Sequence, residues 1–272
     1  MIEFSGDAIL VEEARQIKAL SRIADMIAAR KGVKLVLLCG PSSAGKTTTA
    51  KRLAIQLQVE GFSALSMSTD DYFVGDERNP RDENGEFDYE HVDCVDAAEL
   101  EEDLSRLIRG ETITPRRFDF QKHVGFRDTS KSLKLPGNGI IILEGIHALN
   151  PKFTSHISPK NKFKIFIHCP KELRFYRRMV RDNYYRNMSA DATIAMWPKV
   201  LKGEERWINP YRHEADVEFE SALPYERGVL KPFVEKLIGK VEAFEEYKTI
   251  PAKKVPGDSI LRETIGGSAL EY

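Results

Sequence analysis

Residues 40–47 read Gly-Pro-Ser-Ser-Ala-Gly-Lys-Thr, which is the pattern G-x-x-x-x-G-K-T. The apolar run at 34–39 comes directly before this pattern and has the composition of a buried strand. Residues 48–60 follow with the periodicity of a helix, whose apolar face is formed by Ala50, Leu53, Ala54 and Leu57. A glycine-rich turn between a strand and a helix N-terminus brings backbone N–H groups close to an anion. The chain is therefore predicted to be an α/β protein with a phosphate-binding loop.

The side chains of this loop indicate which ligand it binds. Lys46 brings a positive charge to the β- and γ-phosphates of a nucleoside triphosphate, and the hydroxyl group of Thr47 can bind Mg²⁺. The residues predicted to bind the nucleotide are Gly40, Ser42, Ser43, Ala44, Gly45, Lys46, Thr47 and Thr48. A chance match in an ordinary loop is the alternative, and the strand and the helix on either side argue against it.

Carboxylates follow two further predicted strands. A short strand at 64–68 runs into Asp70 and Asp71, and the apolar run that begins at Gly139 ends in Glu144. Ligands of open parallel sheets lie at the carboxyl ends of the strands. The Asp pair is therefore expected to face either Mg²⁺ or the attacking hydroxyl group, and Glu144 to hold the metal or its water shell. An Asp pair that merely starts a turn and a chance Glu are the alternatives.

An irregular stretch at 74–90 follows Asp70 and shows no helical or strand period. A loop of this length in a compact domain is typically functional or disordered. Its position favours binding of the phosphoryl acceptor, because the carboxylates of Asp88 and Glu90 can accept hydrogen bonds from sugar hydroxyl groups. A solvated charged loop is the alternative.

A second candidate for acceptor binding is the region 111–135. Two short strands at 112–120 and 131–135 are predicted to form a hairpin that carries an aromatic and basic stretch. The side chains of interest there are Phe118, His123 and Arg127. Aromatic and imidazole rings on such a protrusion can stack on a base, and a purely structural histidine is the alternative.

The helix that follows the apolar strand at 163–169 has an unusual number of arginines. They are spaced three and four residues apart, at Arg174, Arg177, Arg178, Arg181 and, one turn later, Arg186. Nearby acids are few, and arginine suits phosphate oxygens through its planar fork. The region 174–203 is therefore predicted to be a lid that stabilises the moving phosphoryl group. A solvated basic face is the alternative.

Composition excludes several classes of function. The net charge of −1, from 41 basic and 42 acidic residues, gives no general attraction to nucleic acid or to an anionic membrane. The three cysteines lack metal-ligand spacing, and their odd number without a signal sequence predicts a reducing, cytoplasmic location. No apolar run reaches the length of a membrane span.

The whole chain, 1–272, is predicted to form one kinase domain. Its first part, 1–32, is an amphipathic helix that Asp7 can cap and that packs outside the sheet or at a subunit contact. The core is 33–220, and the remaining part, 221–272, holds a helix at 231–244 and an irregular tail.

Several motifs together resemble the uridine kinase branch of the phosphoribulokinase/uridine kinase family, over about residues 33–220. They are the loop at 40–47, Ser-Thr-Asp-Asp-Tyr-Phe at 68–73, Arg-Phe-Asp-Phe at 117–120, Leu-Glu-Gly-Ile-His-Ala-Leu at 143–149 and Arg-Arg-Met-Val-Arg-Asp at 177–182. The resemblance implies a P-loop NTPase fold with a mostly parallel five-stranded sheet flanked by helices. A small β-hairpin subdomain would bind the acceptor, and a helical lid would close over it.

The resemblance also implies ATP and Mg²⁺ as cofactors, a homo-oligomer, and a pyrimidine nucleoside, uridine or cytidine, as acceptor. Asp70 would be the general base for the ribose 5′-hydroxyl group, and Thr47 and Glu144 would hold Mg²⁺. The catalytic residues would be Asp70, Lys46, Arg178 and Arg181. The acceptor-binding residues would be Asp71, Tyr72, Asp88, Glu90, Phe118, His123, Arg127 and Arg186.

Three departures from the family pattern concern the acceptor. Phe118 stands where animal uridine-cytidine kinases carry Tyr, and Glu90 stands where the family has a ribose-binding Asp, unless Asp88 is the match. Met188 replaces a further lid arginine. The alternatives are therefore a kinase of a sugar, sugar phosphate or other alcohol and, less favoured, a nucleotide-binding regulator without catalysis. The chain lacks the Asn-Lys-x-Asp motif of guanine-nucleotide switches.

Overall fold

A computed structural model describes residues 1–270 of the chain. The helices are α1 (Gly6–Ala29), α2 (Lys46–Val59), α3 (Ala97–Ile108), α4 (Lys171–Arg186), α5 (Ala190–Gly203), α6 (Glu226–Ile238), α7 (Glu242–Glu245) and α8 (Arg262–Ile265). The strands are β1 (Leu35–Cys39), β2 (Ser63–Ser68), β3 (Thr112–Ile113), β4 (Arg116–Asp119), β5 (Val124–Arg127), β6 (Leu133–Lys134), β7 (Gly139–Gly145), β8 (Lys162–His168) and β9 (Val217–Glu220). The last two residues of the predicted tail lie outside the described residues.

Five strands form the central sheet in the order β2-β7-β1-β8-β9, and every neighbouring pair is parallel. The predicted five-stranded sheet flanked by helices is therefore confirmed. In its register, Glu144 of β7 lies opposite both Leu38 of β1 and Ser68 of β2. The ends of these three strands consequently meet at one edge of the sheet.

Both faces of the sheet are covered because side chains alternate along each strand. Leu35 and Leu37 of β1 point toward α3, whereas Val36 and Leu38 point toward α1 and α2. Strands buried on both faces read as continuous apolar runs, which is the pattern of β1 and β7. A third apolar cluster joins α4 and α6 to the C-terminal segment.

Helix α1 packs beside α2 on the outer face of the sheet. Its N-cap is Ser5, whose hydroxyl oxygen accepts a hydrogen bond from the backbone N–H of Ala8 at 3.1 Å. The predicted cap, Asp7, is therefore wrong by two residues, and it lies inside the first turn. None of the helices in residues 1–270 combines the length and apolarity that a bilayer crossing requires.

The region 111–135 forms two short antiparallel ladders instead of the single predicted hairpin. β3 pairs with β6, and β4 pairs with β5. Pro115 lies between β3 and β4 and cannot donate a ladder hydrogen bond, so the predicted strand at 112–120 is interrupted there. The turn from β4 to β5 contains His123 in the left-handed conformation, with a φ of 54°.

The predicted helix at 231–244 is also corrected. The helix begins five residues earlier as α6 and ends at Gly239, whose φ of 81° favours glycine. A separate short helix, α7, follows. Val234 of α6 and Phe244 of α7 are both buried in the third apolar cluster. The apolar residues of the two helices therefore resemble the pattern of a single helix.

Candidate active site

One cavity of about 680 Å³ opens at the edge of the sheet where β1, β2 and β7 end. It brings together eleven of the residues predicted for the site. These are Ser42, Ser43, Gly45, Lys46, Thr47, Asp70, Glu90, Glu144, Arg178, Arg181 and Arg186. Such convergence of polar groups at the carboxyl ends of parallel strands is the usual position of a ligand site in α/β folds.

The phosphate loop has the tight geometry that its glycines predict. Gly45 precedes α2 with a φ of 82°, in the left-handed region. A Cβ atom on Gly40 would lie 2.4 Å from the carbonyl oxygen of Ile167, so only glycine lets the loop leave β1 beside β8. Lys46 Nζ donates to the carbonyl oxygen of Pro41 at 3.2 Å. Ala44 and Thr48 are buried under the loop.

Two oxygen ligands suited to a divalent cation lie at this loop. Thr47 Oγ1 donates to Glu144 Oε1 at 3.1 Å. Burial raises the pKa of the Glu144 carboxyl group to about 7, and the nearby Asp70 carboxylate adds to this effect. A buried carboxylate beside a hydroxyl group is a donor set that fits Mg²⁺.

Asp70 and Asp71 point to different places. Asp70 follows β2, its backbone N–H donates to Ser68 Oγ at 3.2 Å, and its side chain lines the cavity. Within residues 1–270, no ion pair or side-chain hydrogen bond restrains its carboxylate. Asp71 instead accepts a hydrogen bond from Arg117 Nη1 at 2.9 Å, outside the cavity lining. Asp71 thus does not share the cavity with Asp70, and its acceptor contact stays a prediction.

Part of the cavity lining is aromatic. Phe73, Tyr89, Phe120 and Gln121 line the cavity, and none of these was predicted as a site residue. Phe118 packs behind them, with its ring centroid 5.6 Å from Phe73 and 5.0 Å from Phe120. The sequence did contain a signal for two of them, because Phe73 and Phe120 are the last residues of the motifs at 68–73 and 117–120.

Two predicted acceptor-binding residues bond instead to Asp103 of α3, and neither lines the cavity. The hydroxyl group of Tyr72 donates to Asp103 Oδ2 at 2.7 Å, and the ring is almost fully buried. Arg127 donates to the same carboxylate oxygen at 2.6 Å. Both side chains act as donors to buried Asp103, which needs hydrogen-bond partners.

Two further predicted residues lie just outside the cavity lining. His123 Nδ1 is 2.8 Å from Asp76 Oδ1 and 3.3 Å from the Tyr89 hydroxyl oxygen. Asp88 accepts a hydrogen bond from the backbone N–H of Glu90 at 3.2 Å. His123 therefore contacts a lining residue through its ring, and Asp88 shapes the backbone that presents Glu90.

The arginines of α4 divide into two groups. Arg174 and Arg177 are buried in ion pairs with Glu204 and Glu226, acids that lie far away in sequence. Arg174 Nη1 also donates to the Ser42 carbonyl oxygen at 3.3 Å. This half of the predicted lid helix is consequently fixed against the phosphate loop.

The second group faces the cavity and converges on one carboxylate. Arg178, Arg181 and Arg186 each form an ion pair with Asp182. Arg178 Nη1 also donates to Ser42 Oγ at 2.9 Å. Three guanidinium groups around one acid leave excess positive charge beside the loop, as binding of phosphates requires.

A family model matches most of the chain. The model described as "Phosphoribulokinase / Uridine kinase family" matches residues 35–225. The chain belongs to this family. Membership makes it an ATP-dependent kinase, and the family implies ATP and typically Mg²⁺ as cofactors.

Two named relatives are uridine kinases. The protein of Lactobacillus helveticus (strain DPC 4571) is 29% identical over 184 residues, which cover 67% of this chain and 84% of the relative. The protein of Staphylococcus aureus (strain JH9) is 27% identical over 188 residues, which cover 69% of this chain and 87% of the relative.

Two solved structures share the fold of this family member. A kinase assigned to a fructose transport system of Silicibacter sp. TM1040 has a TM-score of 0.58 at 18% identity, over 74% of this chain and 98% of that chain. A "possible uridine kinase" from Bacillus stearothermophilus has a TM-score of 0.52 at 21% identity, over 76% of this chain and 99% of that chain. At these identities the likeness concerns the fold alone.

The C-terminal segment of this kinase contributes residues that the sequence did not predict. Ile260, Glu263 and Thr264 line the cavity, although they lie beyond the end of the family match. The apolar residues of this segment, Ile260, Leu261 and Ile265, are buried. Their apolar character is a signal in the sequence that the tail packs against the protein.

Glu90 has an unusual environment for a carboxyl group. Its Oε2 atom is buried without a hydrogen-bond partner in the described part of the chain. Burial raises its pKa to about 7, and the positive charges of Arg178 and Lys46 oppose this shift. Its Cβ atom packs so closely on α5 that a Cβ added to Gly203 would lie 2.4 Å away.

Glu90→Gln is expected to remove one contribution to the pH dependence of stability. Because the pKa of Glu90 is about 7 in the folded state and 4.5 is its ordinary value, folding takes up a proton between these pH values. The contribution of Glu90 to stability therefore falls as the pH rises from about 4.5 to 7, by at most about 3 kcal/mol. Urea unfolding gives the free energy of unfolding of the variant minus that of wild type. This difference should be more positive at pH 8 than at pH 5.

The control for this experiment is Glu77→Gln, which neutralises an exposed acid in the same loop. Its stability relative to wild type should be the same at both pH values. An equal effect of Glu90→Gln at pH 5 and pH 8 would contradict the raised pKa of Glu90.

Proposed function

We propose that this kinase transfers the γ-phosphoryl group of ATP to the 5′-hydroxyl group of a pyrimidine nucleoside, uridine or cytidine. One observation carries the proposal: Asp70 lines the same cavity as Lys46, Thr47 and Glu144. A donor on the loop and an alcohol beside Asp70 would share that space. The names of the relatives from L. helveticus and S. aureus support a nucleoside as the acceptor.

The proposed mechanism relies on positioning and charge. Asp70 orients the 5′-hydroxyl group and accepts its proton as the new O–P bond forms. Lys46, Arg178 and Arg181 stabilise the charge on the transferred phosphoryl group, and Arg186 extends this positive surface. Thr47 and Glu144 would hold Mg²⁺, which when bound neutralises charge on the phosphate oxygens.

The aromatic part of the cavity lining is the proposed site of the base. Phe73 and Phe120 bring two aromatic rings to the cavity lining, where a planar pyrimidine could pack, and Phe118 contacts both rings. Glu90 is the proposed acceptor of hydrogen bonds from the ribose hydroxyl groups. His123 would hold Tyr89, which lines the cavity, in position beside the base.

The remaining expectations are part of the same proposal. We propose that the chain acts as a single kinase domain on a small molecule, with 174–203 as its lid and 111–135 as its acceptor subdomain, and that it forms a homo-oligomer. All three cysteines are buried free thiols, which supports the proposed cytoplasmic location.

An acceptor panel tests the function. The chain is incubated with ATP and Mg²⁺ and with uridine, cytidine, thymidine, adenosine, fructose, ribose or ribulose 5-phosphate, and ADP release is measured. Uridine or cytidine should give the highest kcat/KM. Turnover of a sugar or sugar phosphate but of no nucleoside would contradict the proposal and favour the alternative acceptor class.

A further inference from the structure

Residues 259–267, which we call the C-terminal wall, close one side of the active-site cavity. Ile260, Glu263 and Thr264 of this wall line the cavity together with Tyr185 of α4. The wall begins more than thirty residues after the family match ends at residue 225. It is therefore an addition of this chain to the matched core.

The wall makes direct contact with the phosphate loop. Thr48 Oγ1 donates a hydrogen bond to Glu263 Oε2 at 2.8 Å. A Cβ atom added to Gly45 would lie 2.6 Å from Ile260 Cδ1, so the isoleucine side chain packs onto the loop backbone. Arg262 keeps the wall in shape by donating to the carbonyl oxygens of Pro256 at 3.2 Å and Gly266 at 3.1 Å.

The direction of the transfer reaction indicates which part of ATP meets this wall. The γ-phosphate has to face Asp70, because the acceptor hydroxyl group attacks from that side. The β- and γ-phosphates lie near Lys46. The nucleoside end of ATP must then leave the loop away from Asp70. We place it beside the wall because Glu263 and Ile260 contact Thr48 and Gly45, two of the residues predicted to bind the nucleotide.

The chemistry of Glu263 decides what it can bind there. A carboxylate repels phosphate oxygens, but it accepts hydrogen bonds from hydroxyl groups, as the acidic residue of dinucleotide sites does with ribose. We propose that the C-terminal wall forms the nucleoside part of the ATP site and that Glu263 accepts hydrogen bonds from the ribose hydroxyl groups. This inference rests on ATP as the donor in the proposed function.

A binding experiment without acceptor tests the inference. The Kd values of ADP and 2′,3′-dideoxy-ADP, with Mg²⁺, are measured by calorimetry for wild type and Glu263→Ala. The variant should bind ADP about ten-fold or more weakly, because a hydrogen bond to a charged group is lost. The two proteins should bind dideoxy-ADP with similar affinity, because this ligand has no ribose hydroxyl groups.

Two further variants make the result decisive. Glu263→Gln retains the shape of the side chain and an acceptor for Thr48, so it should fold as wild type and show a smaller loss of the same kind. Glu245→Gln, an exposed acid outside the cavity, should bind both ligands as wild type does.

Two outcomes would overturn the inference. An equal loss of affinity for ADP and dideoxy-ADP would mean that Glu263 does not contact the ribose. Tighter ADP binding by either Glu263 variant would mean that the carboxylate hinders the donor instead of binding it. Because no acceptor is present, these outcomes are independent of which alcohol the kinase phosphorylates.

Discussion

Asp70→Asn is expected to lower kcat by about 10³-fold, within the usual range of 10²–10⁴ for loss of a general base. The amide keeps the shape and polarity of the side chain but cannot accept the proton of the attacking hydroxyl group. The Kd of ATP should stay close to the wild-type value, since Lys46 and the loop backbone remain. Steady-state kinetics with uridine and calorimetry with ATP measure the two effects.

The neighbouring residue provides a matched control. Asp71→Asn makes the same chemical change one position along the chain, but the Asp71 carboxylate is bonded to Arg117 outside the cavity lining. Its kcat should remain near that of wild type. Comparable losses for both variants, or near-wild-type turnover by Asp70→Asn, would remove Asp70 from its proposed role as base.

Glu226→Ala is expected to reduce the free energy of unfolding by about 3–5 kcal/mol. Glu226 is fully buried, and Arg177 is only 3% exposed. Arg177 Nη2 donates to Glu226 Oε2 at 2.8 Å, and Nη1 donates to the carbonyl oxygen of Ser43 at 3.4 Å. Removal of the acid leaves a buried guanidinium group without its counterion directly behind the phosphate loop. Urea unfolding measures the loss.

A double variant separates the lost pair from lost packing. Replacement of both partners, as in Arg177→Met with Glu226→Leu, leaves no unpaired charge and should recover much of the stability. An exposed ion pair offers the comparison: Lys248→Ala, which removes a surface partner of Glu3, should cost far less stability than Glu226→Ala because water screens this pair. If Glu226→Ala costs no more than Lys248→Ala, the pair does not hold the loop in place.

The central elements of the fold could be predicted because their signals are local. The run at 34–39, the glycines of the loop and the helix after it are consecutive in sequence, and each has one dominant pattern. Asp70 and Glu144 could also be placed at one edge of the sheet, since the carboxyl ends of parallel strands meet there.

The remaining features depend on contacts between distant residues. The acids that neutralise Arg174 and Arg177 are 30 and 49 positions away, so a search along α4 could not find them. Tyr72 lies next to the site in sequence, but Asp103 on α3 draws its hydroxyl group into the core. Ile260 and Glu263 reach the loop across more than 200 positions, where local patterns carry no information.

The most direct test of the proposed function is the identity of the phosphorylated product. The kinase is incubated with ATP, Mg²⁺ and uridine, and ³¹P NMR with proton coupling shows which ribose oxygen carries the new phosphate. The 5′-monophosphate should form with wild type and fall below detection in the same time with Asp70→Asn. A 2′- or 3′-monophosphate, or a uridine that remains unmodified while another alcohol in the panel is phosphorylated, would contradict the proposed arrangement of donor, base and acceptor.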